Sequence, residues 1–140
     1  MIYELRSYDA MPGKLPALVN RFGTYNMDLF AKYGIEMVGF WTDEIGTSNQ
    51  LTYMLKFDSM GDREGKWSSC MADADWREYL REEMERDGLY VDRARNTFMR
   101  LTHYSPEPCV STTLCLANFP TCTTGLPITL PVCSRNMAWR

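Results

Sequence analysis

Along residues 2 to 9 the side chains alternate with the two-residue period of a strand, with Tyr3 and Leu5 on one side and Ile2, Glu4, Arg6 and Tyr8 on the other. Met11-Pro12-Gly13 then supplies a turn. From Leu15 the large apolar residues fall at Leu18, Phe22, Leu29, Phe30 and Tyr33, a helical stripe over about 15–33, with Pro16 tolerated in the first turn and Gly34 suited to the stop. IEMVGFWT (35–42) and QLTYMLKF (50–57) are β-rich runs joined by a polar linker that contains Gly46 and Asn49, and they predict a hairpin. Ser59 with Asp62 three residues later has the form of a helix start, and in the helix it opens Trp67 and Met71 share a face. A second start follows at Asp73, behind which Trp76, Tyr79, Leu80 and Met84 recur at helical intervals. Arg81, Glu82, Glu83, Glu85 and Arg86 read as the opposite, solvated face. After Gly88, alternation returns over 97–104, TFMRLTHY, which predicts a fourth strand.

The order β-α-β-β-α-β predicts an α+β, ferredoxin-like domain: an antiparallel four-stranded sheet with its helices on one face. The other face of such a sheet is bare. In the second strand Met37, Val38, Phe40 and Trp41 are interrupted only by Gly39, so both faces of that strand present apolar surface. An uncovered patch on the order of 400 Å² is an association site. The expectation is therefore a symmetric homodimer whose sheets pack face to face, with a cleft left between sheet and partner where polar residues interrupt the seam.

Composition sets the domain boundary. Residues 106–140 hold five of the seven prolines and four of the five cysteines but only three of the 33 charged residues, Glu107, Arg135 and Arg140. No period runs through this stretch, which reads as an irregular appendage to a domain over 1–105. Cys109, Cys115, Cys122 and Cys133 lack the paired spacing of a zinc site, and no metal or other cofactor is expected. Cys70, alone on a predicted helix, reads as a small buried apolar residue. No run of about 18 apolar residues spans a membrane, and MIYELRSYD reads as a strand from a mature start at Met1 rather than as a targeting segment. With 15 basic against 18 acidic residues, the chain has no cationic excess for nucleic acid. A reduced, cytoplasmic setting follows from a domain that needs no disulfides.

Candidate chemistry is sparse. Glu4, Arg6 and Tyr8 lie on one strand face, so a carboxylate, a guanidinium and a phenol could project together into the cleft, the arginine holding a carboxylate or enolate and the glutamate moving protons. They could equally pair with charges on neighbouring strands. Trp41 and Trp76 are pocket-lining or core residues, and Asn49 either shapes the hairpin turn by bonding its own backbone or touches a ligand. Arg63 is read as a partner of Asp58 or Asp62, or of a ligand, and His103 as a surface residue. No Gly-rich phosphate loop, HExxH, GxSxG or CxxC occurs, which removes the common nucleotide, metalloprotease, hydrolase and thioredoxin signatures.

Several short segments, taken in order, resemble the NIPSNAP domain family, a branch of the dimeric α+β barrel proteins with ferredoxin-like protomers. They are YELRSY (3–8), PGK (12–14), GFWTDEIG (39–46), Asn49-Gln50, FDS (57–59) followed by Arg63, DADW (73–76) and NTFMRLTHYSP (96–106). Members of that family often carry His and Trp on the third strand where this chain has Tyr53 and Leu55, and their domain ends near Pro106 where this chain continues for 34 residues. The resemblance implies a homodimeric binding or interaction module, with a protein partner or a small hydrophobic ligand in the barrel cleft and, as an alternative location, association with mitochondria. Related dimeric barrels include cofactor-independent monooxygenases, isomerases and cyclases, so an enzyme acting on a small hydrophobic substrate is the alternative function.

Overall fold

The computed structural model describes residues 1–106; nearly all of the appendage, with Cys109, Cys115, Cys122 and Cys133, lies outside the described residues. Strand β1 (Ile2–Ala10) leads into a helical segment made of α1 (Leu15–Arg21), a π-turn (Phe22–Asn26) and α2 (Met27–Lys32). The hairpin β2 (Glu36–Thr42) and β3 (Gln50–Phe57) follows, then α3 (Met60–Met71), α4 (Ala74–Asp87) and β4 (Val91–Met99). All pairings are antiparallel and the sheet order is β2-β3-β1-β4, the ferredoxin-like arrangement.

Register assigns the faces. Arg6 stands opposite Tyr53 and Glu4 opposite Leu55, so Ile2, Glu4, Arg6 and Tyr8 share a face with Leu51, Tyr53, Leu55 and Phe57. Phe22 and Phe30 pack on Tyr53 with ring centroids 4.9 and 6.3 Å away, and Trp67 of α3 lies against Arg6, so both helical units cover this face. The core sits between them around Leu18, Phe30, Tyr53, Leu55 and Phe57. Ser59 caps α3 through its Oγ, which accepts from the Asp62 N–H at 3.1 Å, and Asp73 caps α4 by accepting from the Trp76 N–H at 2.9 Å.

Three features depart from the sequence pattern. The fourth strand is Val91–Met99, not 97–104: it is an edge strand, exposed over most of its length, so VDRARNT carries no apolar alternation to reveal it. The first helix is not continuous, because the Met27 N–H reaches back five residues to the Phe22 carbonyl. In β2 the register skips Val38, so that Met37 faces Leu55 and Phe40 faces Tyr53. This bulge turns both Met37 and Phe40 towards the helices and leaves Trp41 on the open face opposite Thr52.

Candidate functional site

The Glu4-Arg6-Tyr8 row faces the helices rather than the open side of the sheet, because Ile2 and Ala10, the apolar ends of the same row, belong to the core. Glu4 is fully buried. Its Oε1 accepts from Arg6 Nη1 at 2.6 Å, Arg63 Nη2 at 2.9 Å and Asn96 Nδ2 at 3.2 Å, and its Oε2 accepts from Arg63 Nε at 2.9 Å. Burial alone would raise this carboxyl, but the hydrogen bonds from Arg63 and the adjacent Arg6 charge outweigh it and hold Glu4 below the ordinary glutamate range. A carboxylate so fully occupied is an anchor, not a proton carrier. The sequence placed Arg63 beside Asp58 or Asp62; it reaches across to β1 instead, where both arginines stack on Trp67, Arg6 at 4.3 Å and Arg63 at 4.9 Å from the ring centroid.

Behind Arg6 the polar row continues inward. Arg6 Nη2 donates to the Tyr8 hydroxyl at 3.0 Å and the Tyr53 hydroxyl donates to the same oxygen at 2.9 Å. Burial first, then the neighbouring Tyr8, pushes the Tyr53 phenol well above its ordinary value, so it stays protonated as a donor. Tyr8 and Tyr53 border a cavity of about 60 Å³ whose other walls are Arg21, Phe22, Asn26, Phe30, Trp67, Met71 and Trp76. Trp76, a candidate from the sequence, is buried here against Tyr25.

Two residues at this cavity carried no functional reading in the sequence. Arg21, at the end of α1, donates to Glu83 at 2.6 Å, and both are buried. Glu83 therefore leaves the solvated face assigned to it: seven residues after Trp76 it returns to the same side of α4, and that spacing was the available signal. Asn26, buried at the end of the π-turn, sits four residues after Phe22 on the helix's inner side.

Two other candidates stand elsewhere. Trp41 is half exposed, not core, and its indole lies over Gly39, where an added methyl would sit 2.7 Å from the ring. Asn49 adopts φ +62° in the turn before β3, a conformation asparagine tolerates. Its side-chain amide bonds not its own backbone but the carbonyls of Ala10 and Met11, tying the turn to the end of β1. His103 is exposed, as expected, and Cys70 is fully buried. Among the described residues no group of three His, Cys, Asp or Glu could hold a metal ion, and no helix is long and apolar enough to cross a membrane.

The family comparison covers the whole described domain. The NIPSNAP family profile matches residues 3–106. A solved NIPSNAP family protein of unknown function from Agrobacterium tumefaciens is 28% identical, covering 76% of this chain and 92% of its own, with a TM-score of 0.67. An uncharacterised NIPSNAP domain protein from Burkholderia xenovorans shares 20% identity over 76% of this chain and all of its own, with a TM-score of 0.66, a likeness of fold. No curated protein matches. With the profile spanning the four strands and both helical layers just described, this chain belongs to the NIPSNAP family.

Proposed function

We propose that this protein is a homodimeric binding module that associates through the open face of its sheet. The observation that carries the reading is the composition of that face. Register lines up Gly39, Met54, Leu5 and Thr97 in one row across it and Trp41, Thr52, Ser7 and Arg95 in the next. Leu5 and Met54 are only partly covered, and the Trp41 indole lies over Gly39, whose lack of a side chain leaves room for the ring. The end of the face near Asp9 is polar, with Asp9 paired to Arg95 and Gln50 at 2.7 Å each. Such a face has an apolar anchor and a polar rim. Four strands about 4.8 Å apart and about seven residues long give roughly 440 Å² per sheet in projection, or about 880 Å² for two apposed sheets, the scale of a small interface below the roughly 1,200 to 2,000 Å² of standard ones. A small hydrophobic ligand held in this seam would meet Trp41, Leu5 and Met54. Glu4, the one carboxylate in the candidate row, is consumed by its arginines, which favours binding over acid-base catalysis.

Sedimentation velocity on Met54→Glu and on Met84→Glu tests this reading, since Met84 is an exposed methionine on α4, away from the sheet. The Met54 variant is expected to sediment as a folded monomer and the Met84 variant as a dimer. Equal behaviour of the two refutes the assignment of the face.

A further inference from the structure

The cavity between the helices and the sheet has polar groups with nothing to do. Asn26 is 4% exposed and its Oδ1 has no hydrogen-bond partner among the described residues; the same is true of the buried Nε of Arg21, whose Nη1 is taken by Glu83. Leaving a buried amide oxygen unsatisfied is costly, and native interiors rarely do so without a reason. Tyr8 accepts from both Arg6 and Tyr53, which leaves its own O–H as a third group with donating capacity at the wall. An acceptor and two donors thus border one space whose remaining walls are Phe22, Phe30, Tyr53, Trp67, Met71 and Trp76. The π-turn that delivers Asn26 costs regular helical hydrogen bonding, and such turns recur at functional sites.

Charge and size narrow the occupant. Arg21, the one charged residue of the wall, is matched by Glu83, while Arg6 stands behind Tyr8 and shares Glu4 with Arg63, so the walls themselves are polar but carry no uncompensated charge, and a carboxylate would bring one in unpaired. This argues against the carboxylate partner expected for Arg6. A water occupies about 10 to 15 Å³ of such a space, so a cavity of about 60 Å³ holds roughly four to six non-hydrogen atoms. We propose that this cavity is a binding site for an uncharged, amide-like head group, its N–H donating to Asn26 and its carbonyl accepting from Tyr8 and Arg21. The site lies within one protomer and stands whether or not the sheets pair.

Acetamide and acetate are nearly isosteric and differ in the two properties at issue, the donor and the charge. Titrated into the full-length protein and followed by 1H–15N NMR, acetamide is expected to shift the Asn26 side-chain amide and the Trp67 and Trp76 indole signals saturably, and acetate is not. Asn26→Leu removes the acceptor at similar volume; it is expected to abolish those shifts and to raise Tm, since it replaces an unsatisfied polar atom with an apolar one. Tyr8→Phe, expected to weaken acetamide several-fold, serves if the leucine variant does not fold. No saturable response, an equal response to acetate, or a response that survives Asn26→Leu overturns the proposal. So does a fall in the Tm of Asn26→Leu without any acetamide response, the result expected if the cavity holds only structural water.

Discussion

Replacing Glu4 by glutamine keeps the shape of the side chain but removes the charge that two arginines share. Glu4 accepts four hydrogen bonds at 2.6 to 3.2 Å in a fully buried position, and Arg6, 8% exposed, has little water to turn to when its partner is lost. Breaking a buried pair from one side costs about 3 to 5 kcal/mol, a large share of a domain's roughly 5 to 15. Arg63 is nearer the surface, so Arg63→Ala is expected to cost less, about 2 kcal/mol for two charge-assisted bonds. In urea, with m of about 1 to 3 kcal/mol/M, the Glu4→Gln midpoint should fall by at least about 1 M with m unchanged. The double variant should cost less than the sum of the two, because both remove the same contact. The effect has a pH signature. A folded-state carboxyl below its ordinary range contributes stability that is complete above the unfolded value of about 4.3 and is lost as pH falls through the folded value. The gap between parent and Glu4→Gln should therefore close below about pH 4. A Glu4→Gln chain within about 1 kcal/mol of the parent at neutral pH, or strict additivity with Arg63→Ala, would refute the description of this cluster as a shared ionic anchor.

Further outcomes follow from other buried groups. Glu83→Leu alone should destabilise by about 3 kcal/mol in chemical denaturation because it strands Arg21, while adding Arg21→Met should recover most of that loss. Asp73 is held below the ordinary carboxylate range by hydrogen bonds from Lys32, then Tyr33 and the Trp76 N–H. Its stabilising contribution is therefore present near neutrality and lost on acidification, so thermal melts of Asp73→Asn and the parent should converge as pH falls below about 4. Burial, with Asp73 nearby, pushes the Cys70 thiol up to about 11, so peptide mapping after maleimide treatment should find Cys70 unmodified until the domain is unfolded.

Most of the framework was legible because the elements that pack on the core carry its periodicity. β1, the β2–β3 hairpin and the starts of α3 and α4 all showed it, and the caps at Ser59 and Asp73 matched their side-chain chemistry. What was hidden was hidden for physical reasons. β4 lies at an edge and exposes nearly all its side chains, so no apolar alternation marks it. One extra residue at Val38 puts Met37 and Phe40 on the same face while Trp41 takes the other, an assignment that a period of two does not reveal. The π-turn leaves the apolar stripe of 15–33 intact and shows only in its hydrogen bonds. For the candidate site, the row Glu4-Arg6-Tyr8 was visible but its direction was not. Either face of β1 presents large residues, and a buried ionic cluster looks like a solvent-facing one until Arg63 arrives from 59 residues away. Arg21 and Asn26 read as ordinary helical residues because their meaning depends on Glu83 and on the cavity, neither of which is local in sequence.

We propose that the open sheet face finds a second copy of itself, and the mass of the unmodified protein in solution tests this most directly. Sedimentation equilibrium across a micromolar concentration series is expected to return twice the chain mass, with dissociation only on dilution. A cooperatively folded single chain at every concentration would contradict it.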